Sequence, residues 1–381
     1  MGLIPVLCIA AVAGAFSYRS LDPMLTLIAG DFHISVRDAA LLVTAYGLPY
    51  AAMQPVLGPI GDAYSKTGLI KICLGVLTVA VILAAVAPDY PTLLVSRVIA
   101  GVVSGGIFPV GLAIIGDRTS LEQRQIATSR FLIASIVGQM SGATVAGAVA
   151  SYFGWRAVFI LVAAITCVAW VIVFRRLPRG APGRGLSLKG AIAGYRSVLA
   201  NRSSYIVFAA VMGEGMFYFG VFPFVGAMLI ARGAGGPAAA GVALAGFAVG
   251  GIVYGVVVRF MVASLGQWNM MRVGATMAGL SYLAIAAPLG PVGVALFFTI
   301  AGFGFYMQHN TLQTRATELA PGARASTFAL FSAAFFLGQG SGPIIAGWTA
   351  HAAGFRVLFL AVGVLVIALG LVAAQLMKRH A

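Results

Sequence analysis

A stretch of thirty-three residues occurs twice in this chain, the two copies 200 positions apart. Residues 131–163, FLIASIVGQMSGATVAGAVASYFGWRAVFILVA, align without a gap on residues 331–363, FSAAFFLGQGSGPIIAGWTAHAAGFRVLFLAVG, and thirteen positions are identical. They include Gly138/Gly338, Gln139/Gln339, Gly142/Gly342, Gly154/Gly354 and Arg156/Arg356. Self-similarity at a fixed offset is the signature of a duplicated structural unit. Between the copies lies a segment of opposite character. Residues 175–203, RRLPRGAPGRGLSLKGAIAGYRSVLANRS, hold seven basic residues and no acidic one. The expected division is an N-terminal half over 1–174, a basic linker over 175–203 and a C-terminal half over 204–381.

Both halves are too apolar for a water-soluble domain. With 61% hydrophobic and 9% charged residues and a mean hydropathy of +1.01, the chain lacks the polar surface a soluble globule needs. About 20 apolar residues cross a bilayer as a helix. Twelve such spans can be placed, at 4–30, 38–60, 69–88, 92–116, 126–150, 157–174, 204–230, 238–260, 270–288, 291–313, 326–350 and 355–376. Connections such as PDYP at 88–91 are so short that successive spans must be antiparallel neighbours. The expected class is an all-α membrane protein of twelve transmembrane helices in two six-helix pseudo-symmetric halves.

The basic residues set its orientation. If the linker is cytoplasmic, seventeen Lys and Arg side chains share that side and Arg37, Arg156, Arg232 and Arg356 occupy the other. Both termini are then cytoplasmic in a multi-pass cell-membrane protein, here expected in a bacterial inner membrane. Spread between apolar spans, the formal charge of +15 reads as topology signals and contacts to anionic lipid, not as a nucleic-acid surface. Within the linker, Leu188, Ile192, Tyr195 and Leu199 recur at helical spacing, which suggests an amphipathic helix on the membrane surface. Cys8, Cys73 and Cys167 lie in apolar stretches and read as packing residues, with no metal site. Met1 leads directly into the first span, so no removable signal peptide is expected. No HExxH, paired-Asp, Ser/His or GxxxxGK[ST] arrangement is present in the spans, so neither an enzyme nor an ATP-driven pump is indicated, and no cofactor is expected.

A charge at the bilayer centre costs about 2.5–3.5 kcal/mol even on the lenient insertion scale, so intramembrane charges are functional candidates by default. Of the nine acidic residues only Asp22 and Glu214 fall inside spans; the basic ones inside are Arg19, Arg97 and Arg130. Asp22 and Arg19, three apart, share one helix face and form either a local ion pair or a cavity-facing anion contact. Glu214 has no base on its own helix, which suits a group that loads and unloads protons; a neutral hydrogen bond across a helix interface is the alternative. Arg97 has no basic counterpart in the second half, where Phe297 stands near the equivalent place. Tyr46, Tyr50 and Gln54 form one stripe along span 2, and Phe217 and Tyr218 belong to an aromatic run in span 7; such stripes pack helices or touch ligand. Gln139 and Gln339 suit bonds between helices. His309, beside Asn310, is either a titrating group or a satisfied interfacial histidine. Pro23 and Pro223, again 200 apart, mark expected bends.

Four segments resemble the major facilitator superfamily, and the resemblance covers essentially the whole chain. GPIGDAYSK at 58–66 resembles the signature loop between spans 2 and 3, with Ala63 where a basic residue is usual and Ser65 where glycine is usual. Arg97-Val-Ile-Ala-Gly101 resembles the second motif, and residues 138–147 the glycine-rich antiporter motif, with Ala143 in place of its proline. Asn310-Thr-Leu-Gln313 through Pro321 and Arg324 resembles the drug- and sugar-efflux branch, arabinose-efflux permeases among them. The resemblance implies two halves rocking about a central cavity lined by spans 1 and 7. It implies a role for Arg97 in proton transfer or substrate contact. It also implies a lock of the outward-open state by Gly58, Asp62 and Lys66 against span 11. The function so implied is a monomeric secondary transporter exporting a small amphipathic or sugar-like solute in exchange for protons, with Glu214, Asp22 and Arg97 as coupling candidates. Arg19, Tyr46, Tyr50, Gln54, Phe217, Tyr218, Gln139, Gln339, His309 and Asn310 are the cavity candidates. An importer or exchanger of organic anions and a lipid or lysolipid transporter are the alternatives.

Overall fold

The computed structural model describes residues 2–178 and 188–379; the stretch 179–187 and the side chains of Asp62, Leu121, Glu122, Gln125, Leu188 and Lys189 lie outside the described residues. Among the described residues there is no strand, and nine helices are long and apolar enough to cross a membrane. Three of the nine are too long for one crossing. Leu121–Arg176 has 56 residues, about 84 Å if straight, against a hydrocarbon core of about 30 Å. Each of the three is broken at a glycine in left-handed backbone: Gly154 (φ 78°), Gly266 (φ 66°) and Gly354 (φ 82°). Division there leaves twelve membrane-length spans, as the hydropathy predicts. Positive φ with extended ψ (172° at Gly154, 168° at Gly354) is a glycine region where a Cβ costs about 1–3 kcal/mol, which gives the repeated Gly154/Gly354 pair its physical reason.

Span 1 is Leu3–Asp31, span 2 Val36–Ala63, span 3 Lys66–Ala85 and span 4 Tyr90–Arg118. Spans 5 and 6 are 121–153 and 155–176, followed by a linker helix, Leu188–Ala200. Span 7 is Arg202–Ala231, spans 8 and 9 are 237–265 and 267–285, span 10 is Pro291–Leu319, and spans 11 and 12 are 324–353 and 355–379. Spans 1 and 7 each tighten into a 3-10 turn where proline removes a backbone donor, at Asp22–Met24 and Phe222–Phe224. Short polar caps close the connections. The Asp89 carboxylate accepts from the Thr92 amide at 2.8 Å, which starts span 4 and holds that carboxyl below the usual range.

Glycine sets how close the helices come. A Cβ on Gly138 would stand 2.6 Å from the Val12 carbonyl oxygen, and one on Gly142 would stand 2.7 Å from that of Phe16. In the second half Gly338 meets the Met212 carbonyl and Gly342 that of Met216, the latter at 2.6 Å. All four contacts keep the 200-residue offset. Without a hydrophobic force between helices in lipid, such backbone approach is a main source of association. The outer faces carry exposed apolar side chains such as Val256 (81%) and Phe260 (71%), as a lipid-facing belt requires.

Spans 2 and 11 and spans 5 and 8 join the halves. Four hydrogen bonds involving side chains link the halves' spans among the described residues. Tyr18 and Arg19 donate to Gln339, Thr144 to the Gly241 carbonyl, and the Ala238 amide to Ser151. All lie from mid-bundle toward the end opposite the linker, where the Arg37 guanidinium also sits 4.6 Å from the Trp348 ring centroid. That end is sealed. At the linker end Tyr195 of the linker helix donates to the Pro55 carbonyl at 2.6 Å, and Gly194 packs on Ser326. The linker helix thus docks on the bundle through Gly194, Tyr195 and buried Val198, while Ile192 and Leu199 point away. This differs from the apolar stripe read in the sequence, because hydrogen bonding and small-residue contact, not hydrophobicity alone, select the docked face.

Gly142→Val forces a branched side chain against carbonyl oxygen in the span 1–5 contact and should destabilise the protein by about 1–3 kcal/mol. Gly116→Ala, where a Cβ meets nothing within 4 Å, should be near neutral. Thermal unfolding in detergent distinguishes the two.

Candidate functional site

The first half buries a polar group between spans 1, 2 and 4. Arg97 is 1% exposed, yet it forms no hydrogen bond or ion pair with any described residue. Its guanidinium carbon lies 4.4 Å from the centroid of the Tyr46 ring and 5.8 Å from that of Phe159. A desolvated cation over an aromatic face gains about 2 kcal/mol, which holds the guanidinium in place and leaves its N–H groups free. No backbone carbonyl of a described residue takes them. The buried Tyr46 hydroxyl faces Ser17 and Ser104 without full hydrogen-bond geometry, and Asp22 Oδ1 is buried with no hydrogen-bond partner among the described residues. Buried polar groups are normally paired, and Arg97 and Asp22 Oδ1 depart from that rule within one region.

Arg19 connects that region to the other half. It donates to Asp22 at 3.3 Å and to Gln339 of span 11 at 2.6 Å; Tyr18 also donates to Gln339, at 3.0 Å. The same guanidinium lies 4.5 Å and 5.4 Å from the Phe219 and Phe222 ring centroids. Arg19 and Asp22 thus do form the pair their spacing predicts, and the pair also reaches across the molecule. Gln339 bonds between helices as expected, whereas its repeat partner Gln139 is half-buried and has no hydrogen bond to a described residue.

In the second half the acid expected to stand alone has a base. Glu214 is 0% exposed, and its Oε2 lies 2.8 Å from Nδ1 of His309 on span 10. The other carboxylate oxygen, Oε1, has no partner among the described residues. His309 keeps 17% of its side chain exposed and stacks at 5.1 Å on Phe305, with Phe335 at 5.0 Å and Phe331 at 5.5 Å. The 95-residue separation hides the pairing from sequence. Geometrically, His309 is the accessible member and Glu214 the sealed one.

The remaining candidates divide. Tyr46, Tyr50 and Gln54 are buried along one face of span 2, and Tyr50 packs at 4.3 Å on Phe336 across the interface between halves. Phe217 is half-buried. Tyr218 sits inside the second half and donates to Gln308 at 3.0 Å, which corrects its assignment to the cavity wall. Asn310 donates to the Tyr254 hydroxyl at 2.9 Å. Lys66 pairs with Asp117 of span 4 at 2.5 Å, Gly58 has open space where a Cβ would stand, and the Asp62 side chain is outside the described residues. Tyr18 and Phe336 went unremarked in the sequence. The offset offered one signal, since Tyr18 pairs with Tyr218.

Packing also refines the repeat. A Cβ on Gly101 would meet the Tyr46 carbonyl, and one on Gly302 that of Phe247, so spans 2 and 4 map onto spans 8 and 10 at an offset of 201. Arg97 therefore corresponds to Phe298, not Phe297, and Tyr46 and Ser104 to Phe247 and Phe305. Where the first half holds polar groups, the second holds a ring cluster: Phe247 lies 5.2 Å from Phe222 and 5.4 Å from Phe305, and Phe222 lies 5.5 Å from Phe298.

Comparison with known proteins agrees with this architecture. The Major Facilitator Superfamily profile matches residues 7–328. The uncharacterized MFS-type transporter YceJ of Bacillus subtilis (strain 168) is 25% identical over 86% of this chain and 84% of its own length. The efflux pump apf11 of Gibberella fujikuroi is 30% identical over 45% of this chain but only 31% of the pump. A bacterial homologue of the human lysosomal transporter Spinster, solved in an inward-facing and unoccupied conformation, superposes with a TM-score of 0.75 at 19% identity, covering 98% of this chain and 96% of that one; the likeness is one of fold. With the duplicated spans and the match over nearly its whole length, the chain belongs to the Major Facilitator Superfamily and is a multi-pass membrane transporter, not an enzyme.

Proposed function

We propose that the protein exports a small amphipathic solute in exchange for protons, with the Glu214–His309 pair as the coupling site. The observation that carries this reading is a fully buried carboxylate whose sole described partner is a partly exposed imidazole. An imidazole has two ring nitrogens of separate role. Nδ1 faces Glu214, so Nε2 is left to exchange protons with the cavity, and the carboxylate loads without meeting solvent itself. Aromatic side chains around His309 suit an amphipathic solute. The name of one relative, an efflux pump, supports the direction of transport. With the linker on the cytoplasmic side, which seventeen basic residues against four support, the sealed end faces outward. Arg19 and Gln339 then belong to the outer gate, and the loop containing Asp62 and Lys66 to the lock of the opposite state.

One observation favours a second reading. Arg97, buried with its N–H groups unengaged, matches an anionic group in the solute, as in organic-anion exchange.

Proteoliposomes separate these readings. Glu214→Gln should abolish solute movement driven by a pH gradient while solute-for-solute exchange persists; gradient-driven movement at the wild-type rate would remove Glu214 from coupling. His309→Gln should slow gradient-driven transport by about 10²-fold, the scale of a lost proton-transfer group. If the solute is anionic, organic anions should raise the unfolding temperature of wild type but not of Arg97→Gln; equal protection of both would exclude the anion reading. Gln339→Leu removes the acceptor of two buried bonds, one from a charged donor worth about 1.5–3 kcal/mol. It should raise the outward-open population by about tenfold or more. The readout is the distance between spin labels at Tyr152 and Val292 in a cysteine-free background.

A further inference from the structure

The end of the bundle opposite the linker is built differently in the two halves, although both descend from one repeat. In the first half Arg156 is neutralised. It pairs with Asp31 at 2.5 Å, its guanidinium lies 4.2 Å from the Trp155 ring centroid, and Trp155 also donates to Asp31. At the 200-residue offset Arg356 replaces Arg156, Phe355 replaces Trp155 and Ala231 replaces Asp31. The carboxylate is gone and the cation remains. Arg356 has no hydrogen bond or ion pair with any described residue.

A second cation has been added at the same place. Arg232 stands where the first half has Phe32, and it donates to the carbonyls of Ile285 at 2.8 Å and Leu289 at 3.5 Å. Nothing acidic balances the two. The second half holds two acidic residues, Glu214 in mid-span and Glu318 at the linker end, where it pairs with Arg315. Between these arginines lies a cleft of about 630 Å³ among the ends of spans 7, 9 and 12. Its other walls are apolar, including Met228, Leu283, Phe355 and Leu360. Leu360 and Arg356 are both exposed, so the cleft opens on the outer face of the bundle, at the level where a helix end meets the head groups.

We infer that this cleft binds one anionic phospholipid, its phosphodiester between Arg356 and Arg232 and an acyl chain along the apolar wall. Guanidinium is the side chain best matched to a phosphate's paired oxygens. The apolar wall below the cations selects an amphiphile over a free anion. Neither Arg97 nor Glu214 nor His309 lines the cleft, and it exists in the second half because Ala231 removed the acid that closes its counterpart.

The test is native mass spectrometry of the purified protein titrated with phosphatidylglycerol or phosphatidylcholine, alongside thermal shift with inorganic phosphate alone. Arg356→Gln removes the unpaired cation, which no internal contact needs. Ala231→Asp restores the carboxylate of the first half and should close the cleft from within. The expected result is retention of phosphatidylglycerol several-fold above phosphatidylcholine, and loss of one bound phosphatidylglycerol in both variants while the fold survives. Basic residues at the linker end attract anionic lipid in general, so the variant-specific loss is the decisive readout. Equal retention of the two lipids, or an unchanged lipid count in both variants, would overturn the site. Stabilisation by inorganic phosphate equal to that by phosphatidylglycerol would replace the lipid with a free phosphate.

Discussion

A guanidinium inside a hydrocarbon slab must take every contact from the protein, and Arg19 is where that requirement shapes the molecule. It is 5% exposed. Its own span supplies one carboxylate oxygen, from Asp22, but five N–H groups need more than one acceptor. The rest comes from the other half: Gln339 takes a bond at 2.6 Å, and the Phe219 and Phe222 rings cover the cationic faces. Separating the halves at this level therefore means re-solvating or re-pairing a buried charge. The sealed end depends on that bond more than on apolar contact, because apolar surface leaving another helix finds lipid tails of similar polarity. A gate of this kind can be stable closed and still open, provided the opened state offers Arg19 another acceptor.

Much of the fold was legible in the residues, and the reasons are specific. Twelve spans followed from apolar length, and the bends at Pro23 and Pro223 from the missing backbone donor. The repeated glycines gained their meaning only in three dimensions. Gly138 and Gly142 permit carbonyl contact with span 1, whereas Gly154 supplies a backbone conformation. The site was legible in part. Intramembrane charge selected Arg19, Asp22, Arg97 and Glu214, since insertion cost acts on each residue separately. Pairing does not act that way: Glu214 meets His309, and Arg19 meets Gln339, across 95 and 320 positions. No local periodicity encodes such distances. The placement of Tyr218 failed for a related reason. An aromatic run in a cavity-lining helix has residues on all faces, and the face taken by Tyr218 packs inside its own half.

Duplication explains why the two halves can hold different chemistry on one scaffold. Helix contacts are kept at the offset, so the backbone frame is common, and side chains on that frame are free to diverge. Arg97, Tyr46 and Ser104 became Phe298, Phe247 and Phe305, or the reverse, with the helix register retained. A polar cluster and an aromatic cluster thus face the same central region from opposite sides. A solute with one polar and one apolar end can satisfy both at once, while a fully polar solute satisfies only the first half.

The same divergence sets where charge is placed along the membrane normal. In the coupling site proposed for the second half, partly exposed His309 stands beside sealed Glu214. The first half instead holds the buried guanidinium groups of Arg19 and Arg97. If protons load on the second-half pair, the charge of the central region, set against the guanidinium groups of the opposite wall, changes with that loading. A solute competing with the proton need not touch Glu214. It need only bear a charge whose favourable interaction with the cavity reverses when that carboxyl is neutralised, and this is sufficient for exchange through a shared potential.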